Sequence, residues 1–240
     1  MKTYIESFLE LLYPEKNTCF ICDIYDESIE DKYICSSCEG SIKKLIPPLC
    51  TKCSKPIDYN MSVLLCPDCI NDIKYFESSK SPFFYDGLIK KSIYSFKYYN
   101  KPYYYKLFGK LLVDYMININ YVNFDYIIPV PLHSTKMKKR GYNQSELVAR
   151  YISNKLNIPY LNALKRVKKT IKQSQKSKEE RRKNLKDAFS INKTKNINKI
   201  KNSSVLIVDD VYTTGSTTNE CSKTLINFGV NKVNVITIAR

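Results

Sequence analysis

The sequence contains no tryptophan, six glycines and a single histidine in 240 residues. No run of about 18 apolar residues occurs, which excludes a membrane-spanning helix on hydropathy. Glu6 and Glu10 interrupt the apolar positions of the first 14 residues, a pattern foreign to a secretory leader. Residues 1–16 read instead as a short amphipathic helix, with Ile5, Phe8, Leu9 and Leu12 turned to the body, and the expected location is the cytoplasm. The lone histidine, His133, is the only imidazole available for acid–base chemistry. A loop histidine beside a strand end is more often a hydrogen-bonding structural residue. Arginine is scarce too, at 6 of 39 cations, yet Arg140, Arg166, Arg181 and Arg182 all lie in lysine-rich loops. The planar guanidinium grips phosphate oxygens bidentately, which lysine cannot do.

Acidic residues are outnumbered, 23 against 39, for a net charge of +16. Residues 165–201 alone hold 15 Lys/Arg and 3 Asp/Glu. Such a segment suits a phosphate-bearing partner. The abundance of Lys, Asn, Ile and Tyr is also what an AT-rich genome produces, and the charge alone does not separate the two readings. The 20 tyrosines are open to the same double reading, as base-stacking platforms or as core.

Cysteine is not scarce. Eight of the nine cysteines form four C-x2-C pairs: Cys19/Cys22, Cys35/Cys38, Cys50/Cys53 and Cys66/Cys69. The spacing C-x2-C-x12-C-x2-C occurs twice at a period of 31 residues. Each C-x2-C turn brings two thiolates to one ion, and two turns complete a tetrahedron, so the repeat reads as a double zinc ribbon over residues 17–75 holding two structural Zn2+. A disulfide framework is the rival, disfavoured by the expected compartment. Consecutive pairing within each set is the simpler assignment; interleaved pairing satisfies the same spacing. Many zinc knuckles place glycine after the second cysteine, where the chain takes positive φ. Here those positions are Asp23, Glu39, Ser54 and Ile70, and Ile70 suits that backbone poorly. An irregular knuckle is expected there. Cys221 stands apart and reads as core.

The most specific stretch is Val205-Leu-Ile-Val-Asp-Asp-Val-Tyr-Thr-Thr-Gly-Ser-Thr217. Val205 to Val208 has the character of a strand buried on both faces. The hydroxyl-rich loop around Gly215 leads into a helix from Ser216 to Phe228, which Gly229 ends, and residues 232–238 alternate as a second strand. A helix N-terminus of this kind takes a phosphate. Asp209 and Asp210, acceptors only, suit sugar hydroxyls. Phosphate beside vicinal hydroxyls means ribose 5-phosphate, and the stretch resembles the phosphoribosyl-pyrophosphate (PRPP) signature of type I phosphoribosyltransferases. On that resemblance Asp209 and Asp210 bind the ribose, and Thr213, Thr214, Gly215, Ser216 and Thr217 bind the 5′-phosphate. Strand–loop–helix units of this type build an open α/β sheet whose ligands sit at the carboxyl ends of strands.

A second strand–loop–helix unit precedes it. Asp125 to Pro129 reads as a strand, and Lys136 to Gln144 as a cationic loop. Ser145 to Leu156 reads as a helix. Arg140, Gly141, Asn143 and Gln144 make this loop the candidate for the pyrophosphate end of PRPP. Upstream, residues 83–97 read as a short strand and a helix, and 102–116 as a helix. Residues 165–190 are polar, charged and free of glycine. Ser177 and Glu180 are placed as a capping box, and Arg181 and Arg182 follow. The segment reads as a basic flap able to close on ligand, or else as a solvated connector.

In this order, the cysteine repeat, Pro129-Val-Pro-Leu-His133, Arg140-Gly-Tyr-Asn-Gln144, the segment from Gln173 to Phe189, and the PRPP stretch are together similar to the ComF family. The resemblance implies a type I phosphoribosyltransferase fold over residues 80–240, an open, mainly parallel sheet with flanking helices, fused to the zinc ribbons. It implies PRPP with Mg2+ as ligand, and a link to DNA uptake in natural transformation. One position departs from purine-salvage enzymes, which often carry a carboxylate two residues before the motif glycine; Thr213 stands there, so purine salvage is disfavoured. Two readings remain. In one, an enzyme displaces pyrophosphate from PRPP onto an unidentified acceptor. In the other, a PRPP-binding protein contacts single-stranded DNA or a helicase partner through its basic segments and zinc module.

Overall fold

The computed structural model describes residues 17–58, 63–168 and 185–240. The helix expected over 1–16 and the Ser177–Glu180 capping box lie outside the described residues.

Four parallel strands form the central sheet in the order β1 (Ser79–Lys80), β6 (Lys232–Ala239), β5 (Ser204–Val211) and β2 (Tyr126–Pro129). The apolar run expected to be a doubly covered strand is β5, at the centre of the sheet. Val205 to Val208 are all fully buried, and Tyr126–Pro129 aligns with them residue for residue. Alternate side chains of a strand point to opposite faces. Accordingly Leu206, Val208, Ile236 and Ile238 join one hydrophobic core, and Val205, Ile207, Val233 and Val235 join another.

The first core receives α3 (Gly87–Tyr98), α4 (Tyr104–Asn118) and α6 (Gln144–Leu156), through Phe96, Phe108, Leu112, Val148 and Ile152. The second receives α7 (Ser216–Phe228), through Cys221 and Leu225, and a small antiparallel pair, β3 (Leu164–Arg166) with β4 (Phe189–Ile191). Cys221 is fully buried and its thiol is pushed up by loss of solvent, so it is a core residue as expected.

The cysteine repeat is a repeat in structure as well. Thr18 bridges Tyr25 in the first unit and Leu49 bridges Pro56 in the second, again 31 residues apart. In each unit the first cysteine pair forms a tight turn, and Asp23 and Ser54 take positive φ of 59°. The second pair instead opens a short helix, α1 (Ser36–Gly40) or α2 (Pro67–Asn71), with Cys35 or Cys66 as its N-cap. Glu39 and Ile70 are therefore helical, and the irregularity expected at Ile70 does not arise. The first ribbon packs into the first core and the second into the other, so one ribbon lies on each face.

Two local expectations shift. The strand sought near Phe83 is Ser79–Lys80; Phe83 makes only isolated bridges to Lys44 and Ala239. The cationic loop after β2 contains a short helix, α5 (Ser134–Arg140). His133 caps it, with Nδ1 accepting from the Thr135 backbone N–H at 3.3 Å and meeting Thr135 Oγ1 at 2.7 Å. The structural role for His133 is the one observed.

Candidate functional site

Parallel strands leave their carboxyl ends on one edge of the sheet, and there the acidic pair of β5 emerges. Asp209 and Asp210 are both partly buried. Asp209 Oδ1 accepts from Ser145 Oγ at 3.0 Å and from the Asp210 backbone N–H at 2.9 Å. Asp210 Oδ1 accepts from Lys97 Nζ at 2.7 Å, and both side chains of this ion pair are mostly shielded, at 18% and 17% exposure. Loss of solvent, and then the neighbouring Asp210 charge, push the Asp209 carboxyl up to about 7. Burial works to lower Lys97, but the Asp210 and Asp209 carboxylates outweigh it and hold the ammonium above its ordinary value. Neither Lys97 nor Ser145 was singled out from sequence. The available signal was a lysine directly after the fully buried Phe96 on the apolar face of a helix.

Beyond the acids, the chain turns through residues 213–217 into α7. Gly215 takes φ 72° at the N-cap position and, having no side chain, makes no capping bond of its own. The first N–H of α7, that of Ser216, donates to Thr214 Oγ1 at 3.4 Å, and the N–H groups of the rest of the first turn point out toward a ligand. Thr214 Oγ1 and Ser216 Oγ lie 2.9 Å apart beside them. Glycine is required at 215 for a second reason: a Cβ there would overlap the Tyr212 hydroxyl. Thr213 is exposed.

The loop after β2 closes the other side. Arg140 Nη1 donates to Gln144 Oε1, and its guanidinium lies 5.3 Å above the Tyr98 ring. Gly141 ends α5 with φ 82°. Asn143 and Gln144 are buried and committed to the scaffold. Asn143 Nδ2 donates to the Val130 carbonyl at 3.0 Å while its Oδ1 caps α6, and Gln144 Nε2 donates to the Phe96 carbonyl at 3.3 Å. They orient the loop and present Ser145 to Asp209. Lys136 is held below its ordinary value, by lost solvent first and then by the charges of Arg166, Arg140 and Lys97. The acidic pair therefore faces a cluster of cations from α3, α5 and β3. The segment expected as a flap begins in β3 and ends in β4, which pair with each other; Arg181 and Arg182 lie outside the described residues.

The tyrosines differ in burial. Tyr104, Tyr105 and Tyr212 are core, whereas Tyr94, Tyr98 and Tyr99 are exposed at α3 and its C-terminal end, with ring centroids 4.7 and 5.8 Å apart.

The metal-type donors fall into two consecutive tetrads, Cys19/Cys22/Cys35/Cys38 and Cys50/Cys53/Cys66/Cys69, with ligand atoms of each within 4.8 Å of one another. Interleaved pairing is excluded by this grouping. Burial opposes ionisation of Cys19 and Cys50, but backbone N–H donors overcome it and bring both to about 7. Burial and neighbouring thiols push Cys38 and Cys69 up. Four soft donors at tetrahedral spacing, closed to substrate, fit structural zinc.

Comparison with known proteins agrees with this division. A double zinc ribbon family model matches residues 8–75, and a phosphoribosyl transferase domain model matches residues 142–240. The chain is 34% identical over 212 residues to Competence protein F of Haemophilus influenzae, covering 86% of this chain and 90% of that one. It is 26% identical over 208 residues to Competence protein ComFC of Bacillus subtilis, covering 83% and 80%. It is 34% identical over 117 residues to the DNA utilization protein YhgH of Escherichia coli K12, covering 48% and 49%.

Proposed function

The chain belongs to the ComF (competence protein F) family, with a phosphoribosyltransferase-type α/β fold and an N-terminal double zinc ribbon, and from that premise we propose that it binds PRPP at the carboxyl ends of β2 and β5 and serves in the handling of incoming DNA. One observation carries the PRPP reading: the Asp209–Asp210 pair stands at a strand end directly before a loop whose αL glycine opens a helix. Carboxylate acceptors beside the N–H donors of a helix N-terminus recognise a diol and a phosphate on one molecule.

The residues divide the ligand among them. Asp209 and Asp210 accept the ribose hydroxyls. Residues 213–217 receive the 5′-phosphate. Arg140 and Gly141 take the pyrophosphate, with Lys136 and Lys97 adding charge, and Arg181 and Arg182 are assigned to the same end of the ligand. Mg2+ bound with PRPP would be held by the Asp209 and Asp210 oxygens, donors of the type it takes, and would supply charge neutralisation. Ser145 holds Asp209 in place, and Lys97 does the same for Asp210. Thr213 offers a hydroxyl where purine-salvage enzymes often carry a carboxylate, so no general base for a purine stands at that position.

The DNA reading draws on the relatives' names, the net charge of +16 and the exposed Tyr94/Tyr98/Tyr99 cluster beside Arg140. Aromatic faces among cations suit single strands. Calorimetry with PRPP, followed by a pyrophosphate-release assay over a panel of nucleobases and amines, tests the site. Binding without release identifies a PRPP-binding protein, release identifies a transferase, and absence of binding refutes the assignment. Affinity for single-stranded DNA that falls steeply with salt supports the DNA role, and no binding at low salt removes it.

A further inference from the structure

The second ribbon is not merely next to the phosphate loop; three separate contacts join them. Arg240, just past the end of β6, donates through Nη1 to the Cys53 carbonyl and to Cys53 Sγ, the latter at 3.0 Å. The same guanidinium lies 5.1 Å from the centre of the Tyr212 ring. Tyr212 is almost wholly buried, and its ring is what Gly215 packs against. Phe76, following the second ribbon, meets Tyr212 edge-on at 6.2 Å. Asn219, in the first turns of α7, donates to the Ile73 carbonyl at 3.1 Å and accepts from the Tyr75 backbone N–H at 2.8 Å. Its own N–H donates to the Gly215 carbonyl at 2.8 Å.

We propose that the second cysteine tetrad sets the conformation of the 213–217 loop through Arg240 and Tyr212, which makes Arg240 a positioning residue for the 5′-phosphate. The proposal rests on the PRPP reading of that loop. Its physics is simple. Four thiolates around a divalent ion leave an excess negative charge, which donors outside the ligand set stabilise and orient. Arg240 is such a donor, and a planar cation held against Cys53 is fixed over the Tyr212 ring. Tyr212 in turn leaves room at position 215 only for a residue without a Cβ. Placement of the ribbon thereby decides where the α7 N–H groups point. The first ribbon, on the opposite face, makes no such contact among the described residues.

The test compares full-length wild type with Arg240→Met and Arg240→Lys. Calorimetry measures affinity for ribose 5-phosphate and for PRPP; bound zinc and Tm are measured alongside. The expected result for Arg240→Met is an affinity about tenfold weaker, equivalent to about 1.4 kcal/mol, by the same factor for both ligands and with zinc at the wild-type level. Equal loss locates the defect in the ribose 5-phosphate part that both ligands share, because a lost pyrophosphate contact weakens PRPP alone. Arg240→Lys keeps the charge and recovers part of the affinity. If Arg240→Met sheds zinc, Arg240→Lys decides the matter at full zinc content. Wild-type affinity for both ligands in a zinc-replete variant overturns the proposal. Failure of the wild type itself to bind either ligand overturns the reading of the loop instead, and the two failures are distinguishable in one experiment.

Discussion

Lys97 Nζ lies 2.7 Å from Asp210 Oδ1 at the strand end, an ion pair joining the last turn of α3 to β5. Two adjacent carboxylates in a site of lowered solvent access repel each other, and Lys97 is the opposite charge that offsets Asp210 beside Asp209. Removing one partner of such a pair strands the other.

Lys97→Met is therefore expected to destabilise the fold by about 2 kcal/mol at pH 8, below the roughly 3–5 kcal/mol of a fully buried pair because some solvent reaches it. The deficit should shrink at pH 5, where Asp209 holds a proton and the repulsion is relieved. The double variant Lys97→Met/Asp210→Asn should recover most of it. Denaturant titration at the two pH values measures all three; a deficit independent of pH would show that Lys97 contributes packing alone.

Asp209 gives a second pH signature. Between the ordinary carboxyl value of 3.8 and its folded value of about 7, the folded chain keeps a proton on Asp209 that the unfolded chain has lost. The native state binds more protons in that window, so this residue's contribution falls as pH rises from about 4 to 7 and stays at its least favourable above 7. Asp209→Asn keeps an oxygen acceptor for Ser145 and abolishes the titration. It should raise Tm at pH 8, by about 2–4 °C for each kcal/mol gained in a chain of this size, and raise it less at pH 5. PRPP affinity should be lost in the same variant. A Tm gain equal at both pH values contradicts the assignment.

The central strand of the sheet and the helix that follows it were legible because their signals were local. Four buried β-branched or leucine residues before two acids defined β5, and Ser216 to Phe228 with Gly229 behind it defined α7, both where the structure has them. The four cysteine pairs followed from spacing, but which pairs share a site did not, because interleaved pairing fits the same intervals; the fold groups them consecutively. Lys97 and Ser145 were not legible, because each reaches its acid across a long stretch of sequence and neither carries a motif. The relation between Arg240 and Cys53 spans still more of the chain. Asn143 and Gln144 were read as ligand groups; their short polar side chains instead satisfy backbone carbonyls of neighbouring elements.

Two glycines in similar backbone conformations offer a controlled comparison. Gly141 has φ 82° with open space within 4 Å of where a methyl group would stand, whereas Gly215 has φ 72° and the Tyr212 hydroxyl in that space. Gly141→Ala should cost about 1 kcal/mol, the usual penalty of the left-handed region. Gly215→Ala carries that penalty and must also displace Tyr212, adding about 1–3 kcal/mol of overpacking. Thermal denaturation ranks the two, and ribose 5-phosphate affinity should fall sharply only for Gly215→Ala. Equal stability losses would mean that Tyr212 yields freely.

The first ribbon has a different expected consequence when broken. Its Phe20 stacks on Tyr33 with centroids 5.0 Å apart and meets Tyr103 edge-on at 5.0 Å, while the Tyr104 hydroxyl donates to the Phe20 carbonyl. These contacts lie against α4, on the face of the sheet away from α7. Cys22 is the exposed ligand of that tetrad, so Cys22→Ser removes a zinc ligand with little direct damage to the core. Bound zinc should fall from two ions per chain to one, as read by a colorimetric chelator on unfolded protein. Loss of about 2 kcal/mol or more should lower Tm by about 5 °C. Ribose 5-phosphate affinity measured well below that Tm should stay within about twofold of wild type, since RT ln 2 is about 0.4 kcal/mol. The corresponding change in the second tetrad, Cys69→Ser, should remove one zinc and weaken ribose 5-phosphate together. Identical effects on affinity from Cys22→Ser and Cys69→Ser would show that the ribbons act only through overall stability.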